Sequence, residues 1–115
     1  MSERIRRVRR LRWRLLAELL EEMNIADHTG DGWRCRLGKL ANGRRHGPFR
    51  TLRGLMIHLQ RRHPQVHYRV VRELLRRLER RLGPIPASAL TEVERRLAEE
   101  AGLIVEVGER RYAVA

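Results

Sequence analysis

The chain has 115 residues, enough for one domain or two very small modules, and its hydrophobic fraction of 42% with only 4% aromatic residues predicts an aliphatic core. Charged residues make up 35% and the formal net charge is +12 at pH 7, which is far from a typical globular enzyme and argues for a polyanionic partner. One cysteine excludes an internal disulfide framework, no apolar run approaches membrane-spanning length, and the basic N-terminus lacks the apolar stretch and cleavage site of a signal peptide.

Nearly all the positive charge is arginine, Lys39 being the only lysine. Arginine suits bidentate phosphate contacts, although a GC-rich or heat-adapted genome would supply the same bias. In chain order, Ile5, Val8, Leu11, Leu15, Leu19 and Met23 recur at helical spacing and predict an amphipathic helix over 3–24. Arg4, Arg6, Arg7, Arg9, Arg10, Arg12 and Arg14 crowd its first half, while Glu18, Glu21 and Glu22 lie in the second. The helix dipole favours the reverse order, so these arginines read as retained for a ligand, with Arg6, Arg10 and Arg14 as the candidate contacts. Residues 27–32, Asp-His-Thr-Gly-Asp-Gly, read as a polar loop without the ligand count of a calcium site.

From Trp33 to His63 the residues carry more information. Phe49, Leu55, His58 and His63 follow the order F-x5-L-x2-H-x4-H. Leu55 and His58 share a helical face, His63 follows one and a half turns later, and Pro64 ends the helix by pushing residue 63 out of the helical region. This pattern resembles the helix half of a zinc finger with two Cys and two His ligands, and Trp33-Arg34-Cys35 is similar to that family's entry strand. The chain departs from the family at the second Cys, where His46 stands in Arg45-His46-Gly47-Pro48-Phe49, and in a longer hairpin with Gly38 and Asn42-Gly43 as turn material. The resemblance implies zinc held by Cys35, His46, His58 and His63. The alternative is a finger-like helix whose histidines lie on its surface. The family's three base-reading positions fall on Thr51, Gly54 and Ile57, none of which discriminates bases well, whereas Arg50, Arg53, Arg61 and Arg62 around them suit phosphates.

A second helix is predicted from Val66 to Leu82, with Val66, Val70, Val71, Leu74, Leu75, Leu78 and Leu82 on its apolar face. Arg69, Arg72, Arg76 and Arg80 line another face over about 16 Å at 1.5 Å per residue, which suits a run of phosphates. Gly83-Pro84-Ile85-Pro86 breaks the chain, and Thr91-x-x-Glu94 is a capping box opening a third helix whose buried face is Leu90, Val93, Leu97, Ala98 and Ala101, with Gly102 as its stop. Strands over 103–107 and 110–114 then flank Gly108-Glu109 as a hairpin. Helix followed by hairpin resembles the last helix and wing of a winged-helix domain, with residues 87–90 offering barely a turn where that family has another helix.

The expected fold is mainly α with short β-hairpins (α+β), in three parts: a basic amphipathic helix (1–26), an altered zinc finger (33–64) and a helical, winged-helix-like module (66–115). Net charge is +6 over residues 1–14, −5 over 15–33, +13 over 34–82 and −2 over 83–115. The basic surface thus belongs to the first helix, the finger and the second helix. The acidic tail suits packing on the chain's own helices or a homodimer contact rather than DNA.

These features predict a small intracellular protein (cytoplasm or nucleoid) that binds nucleic acid through arginine–phosphate contacts with low sequence specificity. DNA is favoured over RNA, with neither a membrane nor a small-molecule substrate as partner. The alternative is an adaptor for an acidic protein partner. No catalytic role is expected: His58 and His63 bracket Leu59-Gln60-Arg61-Arg62 without the glutamate of HExxH, and nucleophile elbow, phosphate loop and acidic metal cluster are all lacking.

Overall fold

A computed structural model describes residues 2–38 and 46–115; Lys39, Arg45 and the expected Asn42-Gly43 turn lie outside the described residues. The protein is α+β, with four α-helices and two small antiparallel three-stranded sheets among those residues. The elements are α1 (Glu3–Glu22), β1 (Ala26–Thr29), β2 (Gly32–Cys35), β3 (His46–Phe49), α2 (Leu52–Arg62), α3 (Pro64–Leu82), β4 (Ile85–Pro86), α4 (Glu92–Glu100), β5 (Ile104–Gly108) and β6 (Arg111–Val114). None of the described helices is long and apolar enough to cross a membrane. The chain divides into a central unit, Ala17–Tyr68, and a terminal unit formed by Met1–Leu16 with Arg69–Ala115, the divisions falling inside α1 and α3.

In the central unit, α1 ends where Asn24 takes a left-handed backbone (φ 61°). The amide of Ile25 reaches back to the carbonyl of Leu20 and that of Asn24 to Glu21, the double closure that satisfies the last carbonyls of a helix. The expected polar loop at 27–32 is instead half strand. Asp27, His28 and Thr29 pair with Arg34, Trp33 and Gly32, leaving only Gly30 and Asp31 as the turn. Its side chains are polar because the strand is half solvated: Asp27 holds Arg36 at 3.0 Å, Asp31 holds Arg34 at 2.9 Å, and His28 lies 4.8 Å from the Trp33 ring. Gly32 (φ 131°) is obligatory here, because a Cβ would collide with the Phe49 carbonyl oxygen of β3. Strand order is β1-β2-β3. Thr51 caps α2, its hydroxyl accepting the Gly54 amide at 3.1 Å, and Leu55, Met56 and Leu59 are buried. His63 leaves the helical region (φ −136°, ψ 60°), and Pro64 then opens α3 two residues before the expected start. Proline is well suited to a first helical turn, where its missing N–H has no partner to lose.

The terminal unit builds its core from Leu15 and Leu16, Val70 to Leu78 of α3, and Ile85, Ala89, Ala98, Ile104 and Tyr112. Its capping box is complete: the Thr91 hydroxyl accepts from Glu94 N at 3.2 Å and Glu94 Oε1 accepts from Thr91 N at 2.8 Å. Gly102 (φ 71°) stops α4 as expected. The expected buried face of α4 needs correction, since Val93 is 43% exposed and Ala101 is exposed, while Glu94 is 3% exposed. Glu94 is drawn inward by the other departure from expectation, Arg12, which is 2% exposed and forms a buried ion pair with Glu94 instead of facing a ligand. The hairpin closes through Gly108↔Arg111, with Arg110 at φ 54°. Ile85-Pro86 pairs with Tyr112-Arg111 as an unforeseen third strand, giving the order β4-β6-β5, and a 3₁₀ turn covers Ala87–Ala89. Glu79 Oε2 accepts the Val114 amide at 2.6 Å, fastening the last strand to α3.

Candidate metal centre and arginine surfaces

Cys35 and His46 come from neighbouring strands, and His58 and His63 from α2 and its end. The register sets the first pair. Trp33 lies opposite Phe49, but an irregularity after it places Cys35 opposite His46. That offset brings an imidazole across from the thiol. On α2, burial of Leu55 and Leu59 fixes the rotation that puts His58 on the side of the sheet, and Phe49 lies 4.8 Å from the His58 ring.

The four side chains converge. Ring centroids are 5.0 Å apart for His46 and His58, 5.7 Å for His46 and His63, and 5.2 Å for His58 and His63. One donor atom from each residue, with Cys35 Sγ as the fourth, lies within 4.8 Å of all the others. A tetrahedron with bonds of 2.0–2.3 Å has edges of roughly 3.3–3.8 Å, so the widest pair needs to close by on the order of 1 Å. His46 Nδ1, His58 Nε2 and His63 Nε2 are buried and have no hydrogen-bond partner among the described residues. Three orphaned nitrogens in one place are costly unless something accepts their lone pairs, and a cation is the partner they share.

Electrostatics supports the same use. Burial, with His46 as the next cause for both, holds the imidazoles of His58 and His63 below their ordinary pKa, which keeps them in the neutral, ligating form. Burial raises the Cys35 thiol, offset in part by the Leu37 amide, which donates to Sγ at 3.4 Å. That amide belongs to the site although no side-chain pattern marks it; the signal is the turn material at Gly38 directly after it. A bound Zn²⁺ would be held by Cys35, His46, His58 and His63 and would supply a structural cross-link between sheet and helix. The donor set of one sulfur and three nitrogens fits it.

The arginines divide by environment. In the central unit, Arg50, Arg53, Arg61 and Arg62 are exposed around α2, with Ile57 42% exposed among them. The expected reading position Thr51 is committed to its capping bond, and Gly54 presents no side chain. In the terminal unit, Arg69, Arg72, Arg76 and Arg80 are all exposed along α3. Glu73 approaches Arg76 at 3.6 Å and Arg80 at 3.8 Å, both at solvent-screened range. Arg6, Arg10 and Arg14 are exposed on α1, with Arg10 held to Glu3 at 3.1 Å. On α4, by contrast, Arg95 is bound by Glu92 at 2.5 Å and Glu99 at 2.7 Å. No family model, curated protein or solved structure matches the chain.

Proposed function

We propose that this is a zinc-stapled, non-enzymatic nucleic-acid-binding protein that holds DNA in preference to RNA through arginine–phosphate contacts and reads little sequence. The observation that carries the zinc reading is the convergence of Cys35 Sγ with three buried, unpartnered imidazole nitrogens. The binding reading rests on the exposure of Arg69, Arg72, Arg76 and Arg80 as a stripe, together with the arginines around α2. A lone thiol committed to a metal suits a reducing, intracellular setting.

The chain's own residues account for the mode of binding. Guanidinium groups neutralise phosphates and release counterions, so affinity comes without base selection. Ile57 and Gly54 have no bidentate donor to offer a base edge. The terminal unit, in which β4, a 3₁₀ turn and α4 lead into the β5–β6 hairpin of a β4-β6-β5 sheet, resembles a winged helix in outline. Its α4 would be a poor reader, because Glu92 and Glu99 occupy Arg95. The test is metal analysis of untagged protein together with fluorescence anisotropy on duplex DNA and RNA across a salt series. One zinc per chain, and an affinity that is steeply salt-dependent and alike for unrelated DNA sequences, are expected. Metal-free native protein overturns the zinc reading, and absence of DNA binding at low salt overturns the other.

A second reading, docking of a protein through the tail, is favoured by Val93, Val105 and Val107, which are 43%, 52% and 55% exposed.

A further inference from the structure

The two sheets have four edges, and three are blunted. β1 presents Asp27 and His28, β3 carries Pro48, and β4 is two residues long and includes Pro86. The fourth, β5, reads Ile104-Val105-Glu106-Val107-Gly108, with neither lysine nor proline, and among the described residues it pairs only with β6. Proteins ordinarily guard such an edge, because its free N–H and C=O groups recruit another strand.

The ladder fixes which groups those are. The Ala115 amide donates to the Leu103 carbonyl at 2.9 Å, and Val105 lies opposite Ala113. Antiparallel bonding alternates along a strand, so Leu103 and Val105 turn their backbone groups toward β6, and Ile104 and Glu106 turn theirs outward. Glu106 does not guard the edge with its charge, since its Oε1 accepts the Arg110 amide of its own hairpin at 3.4 Å. The irregularity between Glu106 and Gly108 lies beyond these two residues.

We propose that the edge of β5 is a homodimer interface, in which two copies pair antiparallel about a two-fold axis at Val105. This inference does not rest on nucleic-acid binding. The register that uses every outward group of the regular ladder sets Ile104 of one copy opposite Glu106 of the other, giving about four backbone hydrogen bonds. Val105 then faces Val105 of the second copy at a non-hydrogen-bonded position, where side chains lie closest. The register one pair further along would set Glu106 against Glu106 and is disfavoured.

Charge selects a second copy of this chain over other occupants. In the chosen register the end of β5 in one copy runs toward the start of β5 in the other, which brings the hairpin tip of one copy toward the end of the other copy's α4. The tip carries exposed Arg110 and Arg111 beside Glu106 and Glu109, and the last turn of α4 carries exposed Glu100, Glu99 being held by Arg95 at 2.7 Å. The guanidinium groups of Arg110 and Arg111 thus come toward Glu100 of the other copy twice, by symmetry. Elsewhere the strongly basic α1 and α3 repel their own copies, so self-association is confined to this tail. The pairing covers only one short edge, well below the area of a standard interface, so the dimer is weak and concentration-dependent.

The test is sedimentation equilibrium of the full chain under reducing conditions, free of nucleic acid, over a concentration series. The wild type should move from one to two chains in mass. Val105→Lys and Val105→Glu should each stay monomeric with an unchanged far-UV spectrum, because the side chain is half solvated in the monomer. Mixed in equal amounts, the two variants should regain the doubled mass, since the two-fold axis sets lysine directly against glutamate. A wild type that stays monomeric throughout overturns the proposal, as does a dimer that survives Val105→Lys or variants that fail to recombine.

Discussion

Removing the guanidinium of Arg12 should destabilise the terminal unit more than any single surface substitution. Arg12 and Glu94 are 2% and 3% exposed, and they hold each other in a buried ion pair while Glu94 also completes the α4 capping box. Arg12→Met keeps the aliphatic volume and strands a buried carboxylate, at a cost of about 3–5 kcal/mol. At some 4–8 °C per kcal/mol for a domain of this size, Tm should fall by on the order of 20 °C. Glu94→Gln strands the cation instead and should cost a similar amount. The double variant separates attraction from desolvation. Among the described residues Arg12 Nε and Nη1 are buried without a hydrogen-bond partner, so the native pair already carries unsatisfied donor atoms at about 1–3 kcal/mol each. Arg12→Met with Glu94→Gln should therefore recover wild-type stability or exceed it, since glutamine can still accept the Thr91 amide. Urea unfolding in a Trp33→Phe background, followed through Trp13, reports this unit selectively, because the Arg12 guanidinium lies 3.9 Å from the Trp13 ring centre. A loss below about 1 kcal/mol for Arg12→Met would show that the charge is hydrated, and additive losses in the double variant would refute the pairing.

The central unit offers three more tests. Cys35→Ser removes the only sulfur donor and should weaken metal binding by at least on the order of 100-fold, since even partners one step behind a ligand are worth 10–100-fold; competition titration with a chelator measures it. In the metal-free chain, His58 and His63 have folded pKa values below the ordinary 6.5, so unfolding takes up protons. Stability should therefore be fully present above pH 6.5 and decline as pH falls below it, and urea midpoints that stay flat from pH 7.5 to 5 would contradict this. Gly32→Ala should unfold the β1-β2-β3 sheet, seen as lost metal binding and lost near-UV signal from Trp33, because its Cβ has no room against Phe49. In the terminal unit, neutralising Arg69, Arg72, Arg76 and Arg80 together should flatten the logarithmic salt slope of DNA binding by up to about 3.6, at 0.9 per phosphate contact, with equal loss for every sequence tested.

What the sequence made legible was periodic or local. The α3 stripe, the Thr91–Glu94 box and the Gly102 stop are set by neighbours within one or two turns, and each stands as spacing alone predicts. β4 escaped because two residues cannot alternate; it is a strand only because Tyr112 and Arg111 supply a partner. β1 escaped because Asp27 and His28 look like loop residues until Arg34 and Trp33 pair with them. Arg12 did leave a signal: it stands four residues before Leu16, on the stripe that continues through Leu19 and Leu20. Its charge outweighed its position because the carboxylate that answers it lies 82 residues away.

The candidate metal centre shows how the same limit applies within one site. His58 and His63 belong to a helix and its cap, so their spacing alone places them near one another. Cys35 and His46 depend on how β2 meets β3, which spacing does not encode. Had the register set by Trp33↔Phe49 run on without a shift, Cys35 would lie opposite Gly47, which has no donor. The irregularity moves the pairing by one residue and puts His46 there instead. A one-residue slip reverses which side chains share a face, so this offset, rather than a second cysteine, is what supplies the fourth donor. The candidate set of one thiol and three imidazoles therefore has a physical cause in the register of the sheet.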